Sequence, residues 1–586
     1  MNFWFTLITF IIVTAFVTIY ASKKVTDDDS TTSKGYFLAG SGLSGIVIAG
    51  SMMLTNLSAE NLVGLSGQSY SANMSGMAWE STAVIATIVM AMIFLPIYLK
   101  KGYTTLPEFM EERYDLTIKR VISLLFLIGY LVIGIPVCLY AGAIGFTQIF
   151  DLSAMLGVSQ QTAITIIIVL VGVVGAILAV FGGLKAVAVS DTINGVLLLI
   201  GAVLVLFFGL SYLGGQYNGG IAEGINDILV NAPEKLNAVG KKGDPVPFST
   251  LFTGMILANL FYWGTNQVLI QRTLGAKNLK EGQKGVLLSG FLKMIVPLFM
   301  VLPGIIAFRL APGLENSDFA YPTLVGMVLP WPLLGIFCAA LFGAIVSTYN
   351  SFLNSASTIF MLDFYKPFIN PDIEDRELVR KSKIFGTIFA VFAIVFSPML
   401  QNMDSGLYDF GRSFTGFYNI PIITLVLLGM FTKWSNPLGA KIAIIWHILF
   451  YSGYKFWFKA LNSTFLNKIL EIQFIHTYAI SFVVMVLIIY LCSFIDKDRS
   501  TFNLNDGRHD SYDMTPWELR KPVAIFLVSM LVYNYLLLSP MGLAAPGNNL
   551  SFVRTITFIL IIIGIGVLIA CNKIKKGAKN EINTKK

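Results

Sequence analysis

Apolar runs of about 20 residues recur along the whole chain, each long enough to carry a helix across the hydrocarbon core of a bilayer. Fifteen are predicted, starting near Phe3, Gly42, Gly76, Ile118, Thr162, Ala186, Ser249, Gly285, Leu329, Ile384, Tyr408, Lys441, Gln473, Pro522 and Arg554; they are numbered here as spans in that order. Runs spread from end to end cannot hide in one water-soluble core, so the pattern predicts an all-α polytopic membrane protein. The polar connections alternate in charge. Basic stretches follow the odd-numbered spans, among them Lys100-Lys101, the 271–284 and 375–383 connections and the C-terminal tail. Connections after even-numbered spans, such as 69–76 and 151–161, are poor in Lys and Arg. The positive-inside tendency then predicts a plasma (inner) membrane protein with its N-terminus outside and its C-terminus cytoplasmic. The long 214–248 connection carries Lys235, Lys241 and Lys242 against that alternation, but long loops translocate largely regardless of charge. Span 1 has its Lys pair behind it and no basic segment ahead, and is read as a retained span. The polar 496–521 stretch separates the main body from a two-span C-terminal appendage.

Composition narrows the class further. Hydrophobic residues make up 55% of the 586 and charged residues 13%, against about 25% charged in soluble domains. A soluble enzyme, a disordered chain and a nucleic-acid module are excluded. The formal net charge of +8 reflects loops held at the cytoplasmic face rather than a nucleic-acid partner; the bilayer is the partner. Cys138, Cys338, Cys492 and Cys571 lie in separate apolar runs without C-x-x-C spacing, and there are only three histidines, so neither a disulfide framework nor a zinc site is predicted. No nucleotide-binding loop or Ser–His–Asp set is visible.

Polar groups inside spans are costly, and each is a functional candidate. Span 2 is polar at its middle, Thr55-Asn56-Leu57-Ser58-Ala59-Glu60-Asn61. Such residues offer the backbone alternative hydrogen bonds, so the helix is expected to unwind there and expose the carbonyls of Leu54 and Leu57. The alternative is a continuous helix whose polar face packs on neighbours. In span 9, Ala344, Ser347 and Thr348 share one helical face. Hydroxyls at i+3 and i+4 are expected to distort the turn and partly free the Ala344 carbonyl. The five neutral oxygens suit a monovalent hard cation such as sodium, whereas Ca²⁺ or Mg²⁺ would call for carboxylates. Small-residue helix packing would use the same span 9 residues. Glu80, Lys293, Arg412, Asn259 and Tyr262 are further intramembrane candidates. Charged and amide groups beside aromatic rings match a polyhydroxylated ligand, whose hydroxyls donate and accept and whose C–H face covers a ring. Snorkelling of Lys293 and an interfacial place for Arg412 are the alternatives. Asp191, early in span 6, either draws a departing cation or caps its helix. Leu-x-Asn-Leu occurs in span 2 (Leu54–Leu57) and again in span 7 (Leu257–Leu260). Five spans apart, the two copies cross the bilayer in opposite senses, as inverted repeats do.

The segments LSAENLVGLSG (57–67), TTLPEFMEERY (104–114), FGGLKAVAVSD (181–191), NLFYWGTNQVLIQRTL (259–274) and AIVSTYNSFLNSASTIFMLDFYK (344–366) resemble, in order, motifs of the solute:sodium symporter family. The likeness covers roughly residues 1–495. It implies a LeuT-type fold with two inverted five-helix repeats, here 42–213 and 249–434, joined by an extracellular loop at 214–248. Residues 1–41 would be an extra N-terminal span with its loop, 435–495 additional spans, and 496–586 a cytoplasmic loop, the last two spans and a basic tail. By that resemblance Leu54, Leu57, Ala344, Ser347 and Thr348 hold sodium. Asn56, Asn61, Glu80, Asn259, Lys293 and Arg412 contact or surround a sugar, and Tyr262 stacks on it as an inner gate. Leu65, Trp79 and Tyr408 match an outer hydrophobic gate. Asn61 and Arg412 stand where sugar-transporting members have Gln, and Ala83 where they have Ser. The expected activity is sodium-driven uptake of a sugar-like solute by alternating access, without enzymatic chemistry and with a monomer sufficient. An acidic sugar, carboxylate or other small solute is the alternative, Arg412 being suited to a bidentate contact with an acid.

Overall fold

The computed structural model describes residues 3–22, 42–103, 105–402, 406–461, 463–496 and 512–584. The side chains of Leu54 and Asp191 and most of the 496–521 boundary lie outside the described residues. In chain order, α1 (Phe3–Ser22) is span 1. Span 2 consists of two pieces, α2 (Gly45–Asn56) and α3 (Ala59–Ser71). Next come α4 (Met74–Lys101), α5 (Leu116–Phe150) and one continuous helix, Gln160–Gly215, whose apolar parts α6 (Gln160–Ile177) and α7 (Ile193–Gly215) are each long enough to cross a membrane. Span 7 is again in two pieces, α8 (Gly254–Gly264) and α9 (Gln267–Leu274). The chain continues through α10 (Leu279–Leu310), α11 (Trp331–Phe368), α12 (Asp375–Gln401) and α13 (Leu407–Phe431). It ends with α14 (Pro437–Ser452), α15 (Phe474–Cys492), α16 (Arg520–Leu537) and α17 (Leu550–Gly577). Among the described residues, 11 helices are long and apolar enough to cross a membrane. The remaining expected spans are α1, α14 and the two broken ones; spans 5 and 6, expected as separate crossings, lie in one uninterrupted helix.

The two breaks have local causes. Leu57 leaves the helix at φ −75°, ψ 60°, and Ser58 is extended, with its side chain accepting the Asn61 N–H at the start of α3. A Ser cap satisfies one of the N–H groups that a new helix start leaves unpaired. Glu60 falls in the first turn of α3, where the helix dipole favours an acid. In span 7, Asn266 plays the capping part: its Oδ1 accepts the Val268 N–H at 3.1 Å and the Tyr130 hydroxyl at 2.7 Å. The Leu-x-Asn-Leu echo ends at the break in span 2 but precedes the break in span 7, which comes at Thr265. The opposed direction is visible in the backbone. Leu43 N–H donates to the Gly275 carbonyl at 2.9 Å and Lys277 N–H to the Leu43 carbonyl at 3.0 Å, so the start of span 2 lies against the end of span 7.

Span 9 differs from expectation. Residues Trp331–Ile359 form one unbroken α-helix through Ala344, Ser347 and Thr348. The Ser351 hydroxyl returns to the Ser347 carbonyl at 2.6 Å within that helix, a bond that the helix accommodates without interruption. The helix packs against α1, α2, α6 and α7 and forms the wall behind the broken spans. The appendage is fixed to span 8: Asn534 Nδ2 donates to the Met294 carbonyl at 2.9 Å, and Trp517 N–H to Gln283 Oε1 at 2.7 Å.

Candidate functional site

The breaks in spans 2 and 7 face a shared cavity, walled also by α4, α5, α11 and α13. Asn56, Asn61, Glu80, Asn259, Tyr262, Arg412, Trp79 and Tyr408, all expected at the site, line it. Lys293 stands behind the wall, paired with Glu80, and Leu65 is buried in the helical core away from the cavity. Glu60, named from the sequence only as part of the polar middle of span 2, also lines it, as do Trp263 and Asn419, which were not singled out. Glu60 had a readable signal, an acid in the first turn behind a Ser cap; Asn419 had none.

Two ion pairs set the electrostatics. Lys293 and Glu80 form a direct salt bridge with side chains 1% and 2% exposed. Removing either partner would strand a charge in a low-dielectric site. Arg412 Nη2 lies 3.8 Å from Glu60 Oε1 and donates to Asn61 Oδ1 at 3.2 Å. Its guanidinium sits 4.7 Å from the Tyr408 ring centre, 5.6 Å from that of Trp79 and 5.7 Å from that of Tyr262. A planar cation among aromatic faces is held by their quadrupoles as well as by its acid. Asn61 ties the two pairs together: its Nδ2 donates to the Asn56 carbonyl and reaches Glu80 Oε1 at 3.5 Å. Asn259 Nδ2 donates to Thr82 Oγ1 at 2.8 Å, fastening the unbroken part of α8 to α4.

Several buried polar atoms of this wall have no hydrogen-bond partner among the described residues: Asn56 Oδ1, Asn419 Oδ1, Trp79 Nε1 and Arg412 Nε. The set mixes acceptors and donors. Unpaired buried polar atoms cost about 1–3 kcal/mol each, and on a cavity wall a bound molecule can satisfy them. On one rim Trp79 meets Tyr408 edge-on at 6.1 Å and stacks on Phe474 at 6.3 Å. A Cβ on Gly64 would meet Tyr408 Cβ at 2.6 Å, so only glycine lets α3 approach α13 this closely. Of the expected sodium ligands, Thr348 lines the cavity, Ser347 Oγ is buried without a hydrogen-bond partner among the described residues, and α2 packs directly on the helix bearing both. Leu57 occupies the non-helical step between α2 and α3.

Opposed broken helices around a polar cavity, backed by an unbroken scaffold, define a secondary transporter of the LeuT-fold type. The chain belongs to the Sodium:solute symporter family, whose model matches residues 36–446. It is therefore a multi-pass, sodium-coupled solute symporter and not an enzyme; sodium and a small solute are its transported substrates, sodium being a co-substrate rather than a resident cofactor. It is 41% identical over 536 residues to the "Uncharacterized symporter YidK" of Escherichia coli (strain K12), covering 92% of this chain and 91% of that one. It is 31% identical over 461 residues to the sodium/glucose cotransporter of Vibrio parahaemolyticus, covering 75% and 82% of the two chains. The solved substrate-bound, outward-open structure of a Na+-coupled sialic acid symporter superimposes with a TM-score of 0.70 at 20% identity, over 84% of this chain and 97% of that one.

Proposed function

We propose that this symporter carries a neutral sugar or a related polyol inward with sodium. The balance of charge at the cavity carries this reading. Arg412 alone would favour an anionic sugar, but Glu60 stands 3.8 Å away, and Lys293 is offset by Glu80. With each cation matched to an acid, the wall has no charge to spend on an ionised substrate. What it offers instead are the unpaired neutral groups of Asn56, Asn419 and Trp79 and ring faces turned to the cavity. Hydroxyls on a pyranose match such a set, and the Tyr262 ring covers a C–H face. The 31% identity with a sodium/glucose cotransporter supports the same class.

Sodium binds where the end of α2 meets span 9, to the carbonyls of Leu54, Leu57 and Ala344 and the hydroxyls of Ser347 and Thr348. The unpartnered Ser347 Oγ supports this place. An unbroken span 9 leaves Ala344 to contribute the second lone pair of a carbonyl already used in its helix. The ion ties the broken span 2 to the scaffold and stabilises a formed solute cavity. Solute then closes the rim of Trp79 and Tyr408, and loss of sodium on the low-sodium side releases Tyr262 and the far half of the broken spans. One charge falling through about 100 mV supplies about 2.3 kcal/mol, and a tenfold sodium gradient adds about 1.4 kcal/mol. Together these support roughly 500-fold accumulation per sodium. The face carrying the 271–284 and C-terminal basic stretches is cytoplasmic. A single chain supplies the whole site, so a monomer suffices. Uptake into proteoliposomes, with and without a sodium gradient, of glucose, galactose, inositol, glucuronate and sialic acid tests the reading. Sodium-driven accumulation is expected for a neutral member, and uptake confined to the acids would overturn it.

A further inference from the structure

Below the cavity, toward the face with the 271–284 connection, another buried cation takes no part in solute binding. Arg272, on α9, is 1% exposed. Its Nε donates to Ser51 Oγ on α2 at 2.8 Å. Its two terminal nitrogens donate to Ser351 Oγ on α11 and to the Val268 carbonyl of its own helix. Ser351 in turn donates to the carbonyl of Ser347 at 2.6 Å. A single guanidinium therefore joins three elements: the half of span 2 that leads into Leu54 and Leu57, the corresponding half of span 7, and the scaffold helix one turn from Ser347. The junction continues along that helix. Gln271 Nε2 donates to Thr358 Oγ1 at 3.1 Å and Ser355 Oγ to Gln271 Oε1 at 3.2 Å.

We infer that Arg272 is the latch that couples sodium occupancy to closure of the basic face. This deepens the sodium site proposed above and rests on it. A guanidinium bound by hydroxyls and carbonyls from three helices is tolerated in the interior only while all those partners stay in place. Pulling α2 away from α11 removes Ser51 from one side of the arginine and Ser351 from the other, so the junction opens as a unit or not at all. Sodium bridging Leu54 and Leu57 to Ser347 and Thr348 holds the same two helices together one turn higher. Arg272 thus transmits to α9 a restraint that sodium places on α2 and α11. Arg272 is a positioning residue, since it touches neither ion nor solute.

Hydrogen–deuterium exchange on the purified full chain, compared in sodium and in potassium buffers of equal ionic strength, tests the latch with sodium alone as the probe. In the native chain sodium is expected to slow exchange at 54–57 and 344–348, and also at 45–53 and 267–274. In Arg272→Gln the first two segments should keep their sodium response, while that of 267–274 falls about tenfold. Retention of the full response at 267–274 in that variant overturns the latch. So does a native chain in which sodium protects 54–57 and 344–348 alone. A native chain with no sodium response at 54–57 or 344–348 removes the proposed sodium site itself, and the latch with it. If Arg272→Gln does not fold, Ser51→Ala and Ser351→Ala carry the test, each removing one bond and lowering the response at 267–274 about threefold.

Discussion

The solute cavity and the junction beneath it are built from the same kinds of residue and are wired in opposite ways. At the cavity, Asn56, Asn419, Trp79 and Arg412 leave polar atoms without partners. At the junction, Arg272, Gln271, Ser51, Ser351 and Ser355 are bonded to one another or to backbone across three helices. Both regions are buried, so polarity and burial do not tell them apart; satisfaction does. Where the protein leaves donors and acceptors open, another molecule completes them. Where it completes them itself, it closes.

The sharpest way to break this contrast is at Glu80. Glu80→Gln strands Lys293 and should cost about 3–5 kcal/mol of stability and abolish transport. The double change Glu80→Gln with Lys293→Met should recover most of the stability, read as thermal unfolding, yet stay inactive. Recovered transport in the double variant would assign the pair to packing alone. Next in size, Ser347→Ala with Thr348→Ala removes two of five proposed sodium oxygens. Half-saturating sodium for uptake should rise at least about tenfold, each lost contact being worth about 1 kcal/mol or more. Unchanged sodium dependence places the ion elsewhere. A smaller effect is expected at Glu60, which sharpens the charge-balance argument. Glu60→Gln leaves the Arg412 charge unmatched and should shift preference toward acidic sugars by about 5–10-fold in competition assays. Arg412→Gln should not produce that shift. If both variants rank substrates as the native chain does, the pair is structural.

The smallest effect lies outside the cavity. Asp318, between α10 and α11, is 5% exposed, and its Oδ2 accepts the Leu407 N–H at 3.0 Å. Burial pushes its carboxyl up to about 6, partly opposed by that N–H. A carboxyl raised above its unfolded value of about 4 binds more protons when folded. Its contribution to stability is therefore present below about pH 4 and lost as pH rises through about 6. Asp318→Asn should flatten this part of the pH–stability profile between about 4 and 6 and slightly stabilise the chain at neutral pH. A profile that keeps its slope in the variant assigns the dependence to another group.

Much of the site was legible because its signals are local. A Ser that caps, amides where lipid would demand apolar residues, and a Glu and a Lys deep in spans can each be recognised within one helix turn of sequence. The expected unwinding in the polar middle of span 2 agrees with the structure for that reason. The uninterrupted helix through Ala344 was not legible, because whether hydroxyls bend a turn depends on what packs behind it. Leu65, expected at the outer gate, is buried and does not line the cavity, since a one-position turn on α3 decides which side chain meets it. Glu60 escaped for a related reason: its importance lies in Arg412, which reaches it from a helix hundreds of residues away in the chain.

The sequence by itself determined most of the spans, where span 2 breaks, and which spans carry costly polar groups, because hydropathy, side-chain competition for backbone hydrogen bonds and periodicity act over one or two turns. Only the tertiary structure decided which charges neutralise each other, which polar atoms remain open, and that Arg272 joins both broken spans to the scaffold. Those outcomes depend on the distance between side chains on helices remote in the chain, and that distance is set by packing rather than by any property of a single segment.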